Sequence, residues 1–356
     1  MRGFGIRRRL IRLLMGARPA AGDADRAFVE TAFRHALRRA PSESELDNLV
    51  AVNRAAGPLA VLKALFESTE YEFRNRVAQR AEFDAGHYYS PVVDPEALKA
   101  GGFSVDRDVD PAALPALSID PARMLAFWNE ALPAMQAADF PAHHAPPRRY
   151  YAVNDVYSWG DALVLAGMMS VHRPRKVIEI GSGFSSACML DMADAMGLPT
   201  EFTFVEPYAD RLKSLLTKAD RGRCTLHEVP VQATSPELYK TLEAGDLLFI
   251  DSTHVSKTGS DVNFELFEIL PRLKPGVIVH FHDIFYPFEY PDPWIFEARR
   301  SWNELYILRA FLMYNPAFEV LFFNDYFGRR HAEHARAGLP RFLENPGGGL
   351  WLRKTA

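Results

Sequence analysis

The chain has 356 residues, 48% hydrophobic and 24% charged, the composition of a soluble globular protein with room for about two domains. No uninterrupted apolar run approaches the roughly 20 residues of a membrane span. The net charge of −4 hides an asymmetry, because residues 1–20 hold six arginines and no acid and the remainder therefore carries −10, a balance that argues against nucleic acid as the main partner.

The arginine-rich head, MRGFGIRRRLIRLLMGARPA, fits either a basic amphipathic helix on an anionic membrane face or acidic partner, or a solvated terminus. Arg12 interrupts its apolar run, so it lacks the core of a secretory signal. Cys188 and Cys224 stand in no paired metal spacing and fit core packing in a reducing cytosol. The expected location is cytoplasmic, with peripheral contact at the inner membrane face as the open alternative. No pattern specifies an oligomeric state.

Residues 1–24 thus form a basic segment, and residues 25–80 read as a small helical domain. Phe28, Ala32, Phe33, Ala36 and Leu37 share one helical face, and Pro41 ends it. Ser42-x-x-Glu45 is a capping box before a second helix, and Gly57-Pro58 closes that helix and starts a third, through LAVLKALFESTEYEFRNRV. This module resembles a bacterial domain family of unknown function, met beside glycosyltransferases and cell-surface proteins, in its Arg39-Ala40-Pro41 turn and its closing LFESTEYEF. Residues 81–149 read as an irregular, proline- and alanine-rich linker or cap. His143 and His144 there are adjacent, a poor metal spacing, and read as loop residues.

From Lys176 short apolar strands alternate with helices: KVIEI, EFTFVE, CTLHEV, DLLFID and GVIVHF, with helices predicted over 185–196, through ADRLKSLLTKA, PELYKTLEA and DVNFELFEILPRL. WNELYILRAFLMY precedes FEVLFFNDYF, and a long stretch without a clear helix leads to GGGLWLRK, so the last two strands can pair antiparallel. The expected fold is α/β: a doubly wound, Rossmann-like, seven-stranded, mostly parallel sheet with an antiparallel edge strand, preceded by the small all-α domain.

In such sheets ligands sit beyond the strands' carboxyl ends, where strand order reverses. In KVIEIGSGFSSACML (residues 176–190), Gly181 and Gly183 allow close backbone approach, and the helix start offers free N–H groups. Glu206, closing the second strand, is placed to accept both ribose hydroxyls of an adenosine. NAD and S-adenosylmethionine both fit so far. Ser186 stands where a dinucleotide fingerprint has its third glycine, and Glu179 can meet an ammonium, which favours S-adenosylmethionine.

Residues 150–352 resemble a class I S-adenosylmethionine-dependent methyltransferase, a bacterial subgroup sharing IEIGSGFSS, FVEPY, FIDSTHVSKTGSDVNFELFEILPRLKPGV and HFHDIFYPFEYP; the catalytic domain is thus expected over 150–356. The resemblance implies that Glu179, Gly181, Ser182 and Gly183 contact the methionine part and Glu206 the ribose. It also places Pro207 and Tyr208 around the adenine, Gln232 near the base, Ser185 and Ser186 as donors at the helix start, and Asp251 at the cofactor's edge. Tyr157, Ser158 and Asp161 would roof the pocket.

Asp251 ends the fourth strand and His282-Asp283 the fifth, with His254 on the loop after Asp251. Neighbouring strands lie about 4.8 Å apart, so these side chains can converge. Asp251, His282 and Asp283 can hold a divalent cation, magnesium, manganese or similar, that activates an acceptor hydroxyl. Alternatively His282, oriented by an acid, serves as general base. His280, inside the strand, reads as a core residue. Phe285, Tyr286, Phe288, Tyr290, Trp294 and Phe296 form either an aromatic wall for a sugar or ring, or a packed lid. The expected reaction is O-methylation of a sugar, glycan or related small molecule. An NAD-dependent oxidoreductase and a non-catalytic adaptor are the competing possibilities.

Overall fold

The computed structural model describes residues 24–37, 39–68, 71 and 83–356. The chain divides into two compact units, Met1–Asp94 and Pro95–Ala356. The arginine-rich head and the end of the third predicted helix lie outside the described residues.

In the first unit, α1 (Ala24–Leu37), α2 (Glu43–Ala56) and α3 (Pro58–Phe66) close a core of their own around Val29, Phe33, Leu46, Val61 and Leu65. Ser42 caps α2 as its spacing predicts: its hydroxyl accepts from Glu45 N, and the Glu45 carboxylate accepts from Ser42 N at 2.7 Å. Gly57, at φ 81°, ends α2 where a side chain would be strained.

The second unit opens with α4 (Pro95–Ala100) and α5 (Pro121–Ala137). The latter corrects the expectation of an irregular segment there. Asp120 caps α5 by accepting from Ala122 N and Arg123 N, and Met124, Phe127, Trp128, Ala131 and Met135 are its buried face. Trp128 is fully buried and stacks on Phe327 at 4.5 Å. Alanines and Pro133 obscure that amphipathic face in the sequence, so residues 121–137 belong to the core of the sheet unit.

After α6 (Trp159–His172) come β1 (Lys176–Ile180), α7 (Phe184–Ala195), β2 (Glu201–Val205), α8 (Asp210–Leu215), β3 (Cys224–His227) and β4 (Leu247–Ile250). Then follow α9 (Asp261–Phe264), β5 (Ile278–Phe281), α10 (Glu304–Leu312), β6 (Phe318–Phe323), α11 (Asn324–Arg330), α12 (Ala332–Gly338) and β7 (Leu350–Lys354). Strand order is β3-β2-β1-β4-β5-β7-β6. β1 to β5 run parallel, and β7 runs antiparallel between β5 and β6. The antiparallel strand is thus one in from the edge that β6 occupies.

Three helix expectations change in detail. PELYKTLEA keeps only a 3₁₀ turn at Tyr239–Thr241, and α9 continues as a π-helical turn at Glu265–Ile269 and a 3₁₀ turn at Leu270–Arg272. Between β6 and β7 lie two short helices rather than irregular chain, with Tyr326, Phe327 and Ala335 among their few buried apolar residues, too sparse a pattern to announce a helix. Strand order reverses between β1 and β4, which opens the crevice at their carboxyl ends.

Candidate active site

Register builds the site. Ile180 pairs with Ile250, and Ile250 with Phe281, so Gly181, Asp251 and His282 leave the sheet side by side. Asp251 N donates to Ile180 O, and His282 N to Ile250 O, at 2.9 Å each. Gly181 has φ 80°, and a Cβ there would lie 1.7 Å from the Asp251 carbonyl oxygen, so only glycine fits.

Beneath this turn Glu179 is fully buried, and its two oxygens accept from Ser185 Oγ at 2.5 Å and from Ser186 Oγ. Burial pushes its carboxyl up to about 8 against those hydrogen bonds, so at neutral pH it is chiefly the protonated acid. The two serine hydroxyls expected at the helix start are therefore committed to Glu179.

Glu206 faces the crevice and accepts from Ser182 N at 3.1 Å and Tyr208 N at 2.7 Å. It lines a cavity of about 390 Å³ together with Pro207, Tyr208, Gln232 and Asp251. It also lines a smaller one, about 130 Å³, with Gly181, Ser182, Gly183, Ser185, Arg211 and Asp251. Gln232 donates to Gly259 O at 2.9 Å.

Asp251, like Gly181 and Glu206, lines both cavities, and beyond it lies the histidine cluster. His254 is buried, with φ 61°, a left-handed backbone uncommon outside glycine and, among other residues, enriched for histidine and at functional sites. Its Nδ1 lies 2.8 Å from Glu304 Oε2, and its Nε2 lies 3.5 Å from both Asp251 Oδ1 and Asp283 Oδ2. Trp302 packs on its ring at 4.4 Å. Burial disfavours the charged imidazole, but Asp251 and Glu304 outweigh it and hold the His254 pKa well above the ordinary value. His282 Nε2 is 3.5 Å from Asp283 Oδ1, and Asp283, Asp251 and Asp161 overcome burial to raise the imidazole to about 9. The same histidines hold Asp251 below the ordinary carboxylate range although burial opposes this.

Asp251, His282 and Asp283 each present one ligand atom within 4.8 Å of the others. His282 and Asp283 also face a third cavity of about 320 Å³, lined by Asn154, Ser158, Asp161, Phe285 and Trp294 among others. Asp161 thus stands on this side of the site, its carboxyl raised to about 7 by burial, with Asn324 Nδ2 donating to it at 3.0 Å. Of the predicted aromatic wall, Phe285 and Trp294 line the cavity, while Tyr286, Phe288 and Tyr290 are packed in the core. His280 is a core residue, with Phe249 stacked on it at 4.1 Å and Trp351 tilted against it at 4.3 Å.

Residues 150–158, which overhang the site, are anchored by Arg149. Its guanidinium donates to Asp220 at 2.6 and 2.9 Å, to Asp191 at 2.8 Å and to Asp194 at 2.8 Å. Sequence reasoning missed Glu304 and Arg211. Glu304 reads as an ordinary acid in the first turn of a helix, and Arg211 as the solvated face of another; only tertiary packing turns them toward the site.

A methyltransferase-domain family model matches residues 178–284. An uncharacterized protein of Archaeoglobus fulgidus is 26% identical over 166 residues, 45% of this chain and 74% of that one. Among solved structures, the SAH-bound methyltransferase PaMTH1 of Podospora anserina is 21% identical with a TM-score of 0.36, covering 67% of this chain and 89% of that chain. The O-methyltransferase TomG of Streptomyces achromogenes, in complex with SAM, is 14% identical with a TM-score of 0.32, over 69% and 93% of the two chains. A structure described as cmcI-D160 Mg-SAM is 16% identical with a TM-score of 0.33, over 79% and 100%. With its strand order, its glycine turn after β1 and its acid after β2, this part of the chain has a Rossmann-like methyltransferase fold, and its residues 178–284 match the methyltransferase-domain model.

Proposed function

We propose that the domain transfers a methyl group from S-adenosylmethionine to a hydroxyl oxygen of a small molecule, a sugar or glycan-linked compound. The observation that carries this reading is the position of Asp251: it lines both cavities beside the glycine turn and joins the His254, His282 and Asp283 cluster, which faces the third cavity. The adenosine would occupy the cavity of Glu206, Pro207, Tyr208 and Gln232, and the acceptor that of Asp161, Phe285 and Trp294. There an indole and a phenyl ring suit a sugar face, and the carboxylates and amides its hydroxyls.

In the reaction the acceptor oxygen attacks the methyl carbon, and the carbon–sulfur bond breaks with its electron pair left on sulfur. Positioning in line with the sulfonium supplies much of the acceleration. The hydroxyl must also lose its proton, which an amine acceptor would find easier. Asp251, His282 and Asp283 fit a divalent cation by donor type and spacing, and the acids that raise both histidines make a strongly negative field. A cation held there would lower the pKa of the acceptor hydroxyl. His282 as general base is the second reading; a group raised to about 9 is mostly protonated at neutral pH, so that route would gain rate steadily up to pH 9.

The six arginines of residues 1–20 would suit a cytoplasmic enzyme resting on an anionic membrane face. The two competing classes lose ground on the same site. Ser186 Oγ accepts from Gly183 N where a dinucleotide needs an open helix start, and a dead adaptor has no reason to keep the buried cluster. The test is a methyl-transfer screen against glycans, free sugars and phenols, with and without EDTA. Asp251→Asn should abolish turnover. Activity lost to EDTA and restored by one divalent ion supports the cation, whereas activity indifferent to EDTA but lost in His282→Ala supports the base. Full activity in both variants would refute the site.

A further inference from the structure

The glycine turn leaves an anionic ligand few donors. Gly181 N donates to Val205 O, Ser182 N to Glu206 and Gly183 N to Ser186 Oγ. All three N–H groups of the turn are therefore spent within the protein. Glu179 below is buried and capped by two serine hydroxyls. Yet the small cavity beside this turn has one cation on its wall, Arg211 of α8. Its stem lies across the turn, for a Cβ on Gly183 would sit 3.1 Å from Arg211 Cδ. Among the described residues its guanidinium makes no hydrogen bond and no ion pair within 4.0 Å; Ser214 Oγ bonds only its backbone carbonyl. The other cation beside these cavities, Lys257, stands on the wall with Gln232, Gly259 and Asp261.

We propose that Arg211 holds the α-carboxylate of the cofactor's amino-acid arm. This rests on the reading of S-adenosylmethionine as the cofactor. A guanidinium presents its donors in a fork that matches a carboxylate. Here its partner would sit between the turn and Asp251, with the adenosine toward Glu206. The arm's positive groups would face Asp251 and the negative one Arg211, so the charges alternate along the crevice. A pyrophosphate would satisfy the same guanidinium, and that is the chemistry the test must separate.

The experiment is calorimetric titration of the full chain and of Arg211→Met, which keeps the stem and removes the charge. The ligands are S-adenosylhomocysteine, 5′-methylthioadenosine, which keeps the adenosine and thioether but lacks the amino-acid arm, and NAD. The expected result is a loss of about tenfold or more for S-adenosylhomocysteine, with methylthioadenosine binding unchanged and an unaltered melting curve. Arg211→Lys should fall between the two. Equal loss for both ligands, or no loss for S-adenosylhomocysteine, overturns the assignment. Failure of the unmodified chain to bind S-adenosylhomocysteine, or tighter binding of NAD, overturns the cofactor reading itself and is seen before any variant is made.

Discussion

Replacing Gly181 by alanine tests whether the contact between the ends of β1 and β4 is as tight as the geometry says. The residue has φ 80°, and its new Cβ would lie 1.7 Å from Asp251 O and 2.7 Å from Asp251 C. Two costs add. A left-handed backbone with a side chain costs about 1–2 kcal/mol, and overpacking against backbone that cannot rotate away costs a further 1–3 kcal/mol or so. Gly197→Ala is the internal control: φ is 61°, but nothing lies within 4 Å of its Cβ. It therefore bears the first cost alone, and any entropic gain in the unfolded chain cancels between the variants. In a domain of this size, roughly 2–4 °C per kcal/mol predicts a melting point lowered by on the order of 10 °C for Gly181→Ala and roughly 5 °C for Gly197→Ala. Because the clash falls on Asp251, Gly181→Ala should also weaken S-adenosylhomocysteine binding, while Gly197→Ala leaves it alone. Scanning calorimetry and titration measure both. Equal melting shifts in the two variants, with unchanged ligand affinity in Gly181→Ala, would refute the claim that this glycine sets the position of Asp251.

Glu206→Ala should weaken S-adenosylhomocysteine at least about tenfold by removing charge-assisted hydrogen bonds to the ribose, read by titration calorimetry. Trp128→Ala should cost about 3–5 kcal/mol in denaturant unfolding of the second unit, since the indole is fully buried against Phe327; a loss under 1 kcal/mol would mean that α5 is not part of that core. A chain beginning at Pro95 should melt cooperatively and bind the cofactor, because the first unit carries its own apolar core. Glu179, an acid raised to about 8 from an ordinary 4.5, contributes stability that is fully present below pH 4.5 and is lost as pH rises through 8, on the order of a few kcal/mol. Unfolding of Glu179→Gln across that range should lack this decline, and an identical pH profile in the two proteins would contradict it.

Hydrophobic alternation and turn chemistry alone determine much of this protein. The five parallel strands, the capping box at Ser42, the glycine turn after β1 and the acids that end β2, β4 and β5 are local patterns, and local patterns survive in one dimension. Pairing registers then make Asp251 and His282 neighbours, a consequence of strand spacing that the order of motifs already implied. Tertiary structure alone decided the rest. Trp128 looked like part of a proline-rich connection because its partners, Phe322 and Phe327, lie about 200 residues away. Glu304 meets His254 across 50 residues, and no periodicity marks such a pair. Glu179 was legible as an acid in the right strand, but its protonation was not, because a carboxyl's charge depends on the water and donors around it. Burial beneath Ser185 and Ser186 raises its carboxyl to about 8, and only the fold brings Arg211, exposed in the structure as its sequence suggests, beside the turn that Glu179 underpins.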